Sequence, residues 1–182
     1  LIVHEGLKVT DDSMRKIQES VKYVRGSEGM KIKFAECIAQ LSLKCKRQDV
    51  PTRWNSTYLM LKSALAYWLA FDQLKYVGLN FKTCPLEEEW SKIERIARFL
   101  KPFYEITTLF SGSLYPTSNL FFNGVWRIQM LILEEMRNRD DVIGCMATNM
   151  KVKFDKYWDC YSMVLSFAIV LEPCYKIQFV EY

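Results

Sequence analysis

The chain has 182 residues, is 50% hydrophobic and carries a formal net charge of +4, which suits one folded domain, or one domain and part of another, and excludes a disordered segment. No apolar run approaches the ~20 residues that span a bilayer, and the start has no basic stretch followed by an apolar signal core, so we expect an intracellular protein. Six cysteines are scattered without a close pair, which favours reduced structural thiols over a disulfide framework or a zinc knuckle.

Helical spacing of apolar residues predicts helices through almost the whole chain. In chain order, they cover about residues 11–24, 30–45, 56–77, 87–104, 118–133, 140–158 and 163–171. The last run is short enough to be a strand, and we favour a helix. Pro102 should kink or divide its helix, because proline removes a backbone donor. An all-α bundle is the simplest architecture that buries so many adjacent apolar stripes.

Two features of these helices bear on possible sites. The acidic run Glu87 to Glu89 falls in a first helical turn, where carboxylates complement the amide dipole, so we interpret it as capping charge and not as a metal site. Four tryptophans lie within apolar stripes, and we assign all of them to the core; they are Trp68, Trp90, Trp126 and Trp158.

Positive charge is concentrated in the first third of the chain. Residues 1–60 contain eleven Lys plus Arg and seven Asp plus Glu, whereas residues 61–182 contain fourteen of each. Seven of these cations form a strip that leads to Arg53; they are Lys22, Arg25, Lys31, Lys33, Lys44, Lys46 and Arg47. Such a strip is either the footprint of a phosphate-binding surface or a solvated helix face.

The run 49–58 joins an arginine and a tryptophan to a helix start. Pro51 favours extended backbone before it, and Asn55 or Ser56 can cap the helix that follows. Arg53 and Trp54 therefore stand at a helix entrance, where a guanidinium can hold a phosphate and an indole can stack on a base. The alternative is a buried tryptophan beside a surface arginine.

This run resembles the Asp-x-x-Thr-Arg-Trp-Asn-Ser-Thr-Tyr signature of hAT-superfamily transposases, especially the plant relatives of the Ac element and their daysleeper-like and ricesleeper-like descendants. Four more blocks match in the same order and cover nearly the whole chain; they are residues 1–7, 99–107, 115–120 and 153–158. The resemblance implies a helical bundle that corresponds to the domain inserted into an RNase H-like catalytic fold. On that pattern, residues 1–45 hold the end of the RNase H-like core region with the leading helices, and residues 46–182 belong to the helical insertion.

The resemblance also sets expectations about chemistry. The family performs cut-and-paste DNA transposition with three carboxylates that hold a divalent metal, Mg or Mn, but on the family pattern two of them precede Leu1 and the third follows Tyr182. We therefore expect a fragment with no catalytic residue, no metal ligand and no activity alone, from a nuclear protein related to BED zinc-finger proteins. Homo-oligomerisation would involve regions outside this chain. Two differences from the family, Cys174 in place of its arginine and His4 in place of a common glutamine, suit a decayed or domesticated copy.

The resemblance implies a DNA site built around the arginine and tryptophan pair, which handles a flipped or hairpinned DNA end. The implied contact residues are Arg53, Trp54, Thr52, Asn55, Lys44, Lys46 and Arg47. We therefore expect a DNA-binding fragment of a hAT-type transposase-like protein. The alternative is a domesticated or decayed transposase that serves as a helical protein-interaction scaffold.

Overall fold

The structure, a computed structural model, consists of helices throughout the part of the chain that it describes. The described residues are 2–10, 12–41, 54–77, 81, 83–112, 118–137 and 141–170, without the side chains of 54–56, 118–120, 141, 160–162, 164–166 and 168–170. The helices are α1 Ile2–Leu7, α2 Asp12–Arg25, α3 Glu28–Gln40, α4 Trp54–Ala66, α5 Trp68–Val77, α6 Glu87–Gly112, α7 Ser118–Met136 and α8 Asp141–Val170. The described residues contain no strand, so the predicted mainly α fold is confirmed. None of the described helices is long and apolar enough to cross a membrane.

The predicted helix 56–77 is in fact two helices, α4 and α5, which meet at Tyr67. The amide of Tyr67 donates to the Ala64 carbonyl at 3.1 Å, and the Tyr67 carbonyl accepts from both Ala70 and Phe71. This tight turn separates the two helices without a glycine or a proline. The single-helix prediction also placed Trp68 in the core, whereas Trp68 is 41% exposed, because the turn changes which residues face inward.

Three other expectations are settled by the helix boundaries. The helix α3 begins at Glu28, where the Ser27 hydroxyl accepts from the amide of Met30 at 3.2 Å, so it starts two residues before the predicted start at residue 30. The helix α6 includes Pro102, so the proline does not divide it, and the alternative that it kinks the helix stays a prediction. The apolar run after residue 163 continues α8, which confirms the choice of helix.

The chain packs as two compact units, one formed by residues 10–99 and the other by residues 1–9 with 100–182. We call them the α2–α5 unit and the α7–α8 unit, and α6 contributes to both. The domain boundary at residue 45 stays a prediction, since packing units and evolutionary domains need not coincide.

The α2–α5 unit is built around side chains that are removed almost completely from solvent, among them Ile17, Leu61, Leu74, Ile93 and Ile96. An aromatic cluster extends this core. The ring of Phe34 lies 4.7 Å from Phe71 and 6.3 Å from Tyr67 between centroids, and Phe71 lies 6.0 Å from Trp90. The predicted burial of Trp90 is confirmed, with 6% of its surface exposed.

The α7–α8 unit depends on close helix contacts at two glycines. A Cβ added at Gly6 of α1 would fall 2.6 Å from the sulfur of Met150, and one added at Gly124 of α7 would fall 2.6 Å from the ring of Phe110. Both positions are therefore filled by a neighbouring side chain. The same unit holds a chain of ring contacts among Phe122, Trp126, Phe154 and Trp158. The two tryptophans were predicted to be core residues, but they are only half-buried.

Candidate nucleic-acid interface

The predicted DNA-contact residues lie mostly outside the described part of the chain. Trp54 is the first residue of α4 and Asn55 follows it in the first turn, so Asn55 and Ser56 lie within the helix and not at the N-cap position that the sequence predicted. The other five predicted contacts fall outside the described residues; they are Lys44, Lys46, Arg47, Thr52 and Arg53. Their DNA-binding role stays a prediction.

The rest of the basic strip meets where α2 ends and α3 begins. Lys22 and Arg25 are exposed in the last turn of α2, and α3 presents an exposed Lys31 and a half-buried Lys33. We call these four cations the α2–α3 corner. The negative end of the helix dipole stabilises cations at a helix C-terminus, so it stabilises Lys22 and Arg25 in the last turn of α2.

The charge of the α2–α3 corner is only partly neutralised by its own helices. Lys31 pairs with Glu28 one turn away, with 2.8 Å between Nζ and Oε2. Arg25, by contrast, has no ion-pair partner among the residues that the structure describes. A cation that is exposed and unpaired in this way can bind a phosphate or a carboxylate without first breaking an internal pair.

A cavity of about 280 Å³ opens beside the α2–α3 corner. Its walls come from α2 and α3 on one side and from Met60 and Ser63 of α4 on another, with Phe71 of α5 also contributing. Arg25 and Lys31 are the two charged residues in the part of its lining that the structure describes. Because a helix rises about 1.5 Å per residue, the start of α4 at Trp54 lies about 9 Å along the helix axis from Met60. The cavity therefore connects the basic corner to the helix that carries the signature tryptophan.

The acidic run at the start of α6 acts as a cap and as an ion-pair partner. The Glu89 carboxylate accepts from the amide of Leu86 at 2.7 Å and from Lys16 Nζ at 2.6 Å. Burial raises the pKa of Glu89, but the hydrogen bonds from Lys16 and Leu86 outweigh that effect and hold the pKa below its ordinary value of 4.5. The interpretation of this run as capping charge is confirmed.

The described residues contain no group of three acidic, cysteine or histidine side chains that could hold a metal ion. The Mg or Mn that the family implies is therefore not accommodated by the part of the chain that we describe, and no chemical step is assigned to it. Cys37, Cys84 and Cys145 are free thiols. Burial raises the pKa of Cys37 and of Cys84, so both favour the unreactive thiol form.

Sequence reasoning missed the cavity and an exposed apolar face on α5. The cavity depends on the packing of four helices, and a single helical stripe carries no signal for it. Of this face, the sequence predicts only that Trp68 is buried, whereas Trp68 is 41% exposed and Tyr76 is 81% exposed. The other exposed apolar side chains of α5 are Leu69 and Val77.

Comparison with known proteins relates this arrangement to a family. Residues 1–99 match the family model of the ZBED1 RNase-like helical domain, and residues 119–182 match that of the hAT-like transposase, RNase-H fold. The residues of the second match that the structure describes belong to α7 and α8. No solved structure matches the chain.

Several plant proteins are similar over most of this chain. The zinc finger BED domain-containing protein RICESLEEPER 2 of Oryza sativa subsp. japonica is 37% identical over 169 residues, which are 91% of this chain and 23% of that protein. A Zea mays protein named as an AC transposase is 36% identical over the full chain and 23% of its own length. DAYSLEEPER of Arabidopsis thaliana, also named as a zinc finger BED domain-containing protein, is 32% identical over 82% of this chain and 22% of its own length. The chain thus spans about a quarter of the length of these relatives. The model of the ZBED1 RNase-like helical domain matches more than half of the chain, which therefore belongs to that family, and the second match relates it to the hAT-like transposases.

Proposed function

We propose that this chain is the DNA-binding helical part of a hAT-type transposase-like protein that acts in the nucleus. The α2–α3 corner supports the proposal, because Arg25, which has no ion-pair partner among the described residues, and Lys31 line a cavity together with the helix that starts at Trp54. Most contacts between proteins and DNA go to the phosphate backbone, which requires exposed cations of this kind. The BED zinc fingers and the AC transposase named among the relatives fit a DNA partner.

The two parts of this surface have different tasks. The cations of the α2–α3 corner neutralise phosphates without reading base sequence, and each phosphate contact steepens the salt dependence of the affinity by about 0.9 in log–log slope. Arg53 and Trp54 hold the DNA end: the guanidinium binds a phosphate, and the indole fills the gap left by an extruded base. Stacking on an aromatic side chain is worth about 1–3 kcal/mol per base, which offsets part of the cost of unstacking.

The whole protein's ancestral activity is cut-and-paste transposition by metal-dependent phosphoryl transfer, with the catalytic carboxylates outside this chain. Here the chain contributes binding and orientation of the DNA end. The intact protein would assemble as a homo-oligomer through other regions. Transposon ends, and hairpins formed from them, are the DNA structures that this surface would bind.

Fluorescence anisotropy with hairpin and duplex DNA over a salt series tests the proposal. We expect Trp54→Ala to remove the preference for the hairpin, and Arg25→Ala to weaken both complexes and lower the salt slope by about 1. Arg98→Ala is a matched control, because Arg98 is an exposed cation of the same unit that already pairs with Glu94 at 3.2 Å. The assignment is refuted if the DNA affinity is unchanged in Arg53→Ala, Trp54→Ala and Arg25→Ala while each variant keeps the circular dichroism spectrum of the unmodified chain.

The exposed apolar face of α5 favours a second function, that of a protein-interaction scaffold. Exposed aromatic side chains such as Trp68 and Tyr76 are typical of protein interfaces. If the chain kept this function alone, Tyr76→Ser would abolish a saturable protein complex, and DNA affinity would be absent or independent of the α2–α3 corner.

A further inference from the structure

The cavity beside the α2–α3 corner is apolar inside and cationic at its edge. Its volume of about 280 Å³ exceeds the roughly 150 Å³ that holds a benzene ring in an engineered cavity. Phe34 and Phe71 contribute aromatic surface to the lining, while Arg25 and Lys31 are exposed to solvent. The lining residues that the structure describes include no acidic side chain.

The cavity is accessible from solvent. Ala35 is an exposed lining residue, and Phe34, Met60 and Ser63 are only partly buried. An occupant can therefore enter without separating the helices. The concave shape, the apolar lining and the few polar groups are those of a binding pocket and not of a packing defect.

From these features we infer that the cavity binds a protein partner through one apolar side chain, Leu or Phe in size, that is flanked by acidic residues. Burial of the anchor in the aromatic lining supplies the affinity. Carboxylates on either side of the anchor meet Arg25 and Lys31, which complement their charge. Arg25 needs no rearrangement for this contact, since it has no ion-pair partner among the described residues.

A nucleobase fits the same cavity less well. Each base has several hydrogen-bonding atoms on its edges, and leaving them unpaired in an apolar site is costly. Among the described residues of the lining, only Ser63 and Tyr67 carry a side-chain hydroxyl. An apolar side chain needs no hydrogen-bond partner, so the chemistry of the lining favours a peptide with an apolar anchor.

The inference goes beyond DNA binding but shares two cations with it. Arg25 and Lys31 would contact phosphates in one complex and carboxylates in the other. An acidic peptide and DNA would therefore compete for the α2–α3 corner. The two functions can be separated at the apolar lining, which the DNA complex does not use.

Titration of the whole chain with fluorescent synthetic peptides tests the inference. The probe is a short peptide with one Phe between Glu residues, and the comparison peptides replace the Phe by Ala or the Glu residues by Lys. Ala35→Trp, which adds an indole at the cavity, should weaken the Phe peptide at least about tenfold. Ala39→Trp is the matched control, because Ala39 is exposed one turn further along α3 and does not line the cavity.

The charged edge is tested with the double variant Arg25→Glu and Lys31→Glu, which should weaken the same peptide by about three- to tenfold and flatten its salt dependence. Hairpin DNA binding, measured in parallel, should be unchanged in Ala35→Trp. Peptide binding without DNA binding would sustain this inference while the proposed function fails. The inference would be overturned if Ala35→Trp and Ala39→Trp weakened peptide binding equally, or if the chain showed no preference for the Phe peptide. It would also be overturned if a nucleoside monophosphate displaced the peptide and only Ala35→Trp lost binding of that nucleotide.

Discussion

The ion pair between Lys16 of α2 and Glu89 of α6 should contribute measurably to the stability of the α2–α5 unit. The Lys16 side chain is 26% exposed and that of Glu89 is 15% exposed, so the pair is partly shielded from water. Glu89→Gln keeps the shape and one carbonyl acceptor but removes the charge. Hydrogen bonds to charged groups contribute about 1.5–3 kcal/mol and neutral ones about 1 kcal/mol. After a discount for partial exposure, we expect a loss of about 1–2 kcal/mol.

The matched control for this substitution is Glu88→Gln. Glu88 lies in the same first turn of α6 but is exposed, so both substitutions remove one carboxylate from the positive end of the helix. Only Glu89→Gln breaks the contact with Lys16. We expect Glu88→Gln to change the free energy of unfolding by no more than about 0.5 kcal/mol.

Urea unfolding followed by circular dichroism measures the difference. With a denaturant slope of about 2 kcal/mol per molar urea, Glu89→Gln should lower the midpoint by roughly 0.5–1 M. Lys16→Met, alone and combined with Glu89→Gln, completes a double-mutant cycle that isolates the pair from its surroundings. If Glu89→Gln and Glu88→Gln unfold at the same midpoint, or if the cycle gives no coupling, the ion pair does not stabilise the unit and the reasoning fails.

Three further predictions concern the same chain. Folding lowers the pKa of Glu89, so the ionised carboxylate stabilises the folded chain above pH 4.5, and this contribution is lost as the pH falls through the folded pKa. Urea midpoints over an acid pH series should therefore fall less in Glu89→Gln than in the unmodified chain. Thermal melts should show that Gly124→Ala destabilises the chain by about 1–3 kcal/mol, since the new Cβ would lie 2.6 Å from a ring carbon of Phe110. A Cβ at Gly29 would have nothing within 4 Å, so Gly29→Ala should be neutral or stabilising by up to about 1 kcal/mol. A larger loss in Gly29→Ala than in Gly124→Ala would contradict the packing described. Trp90→Ala should cost about 3–5 kcal/mol in chemical unfolding and Trp68→Ala at most about 1.5 kcal/mol, and equal losses would show that Trp68 is a core residue after all.

The sequence predicted the helices well because their apolar spacing is long and regular. The α2 prediction of 11–24 matches Asp12–Arg25 closely, and the acidic first turn of α6 and its capping role were evident from the residues alone. The division at Tyr67 was not predictable in this way. No glycine or proline marks it, and the Tyr67 ring packs edge-on against Phe34, more than thirty residues away in sequence, so the turn is set by tertiary contacts.

The candidate site was predictable in its charge but not in its shape. The basic surplus of the first third is visible in the sequence, and Arg25 and Lys31 belong to it. That they border an apolar cavity depends on how α3 and α4 approach each other, which neither helix encodes separately. Resemblance to the family selected Arg53 and Trp54, whose contacts lie outside the described side chains.

The contact between α1 and α8 has a consequence for the order in which the chain folds. Gly6 needs Met150 against it, and Met150 is synthesised 144 residues later. At about 5–20 residues per second, α1 leaves the ribosome roughly 7–30 s before its partner. Until Met150 has been made, Gly6 lacks the side chain that packs against it, and the face of α1 that contacts α8 is open to chaperones.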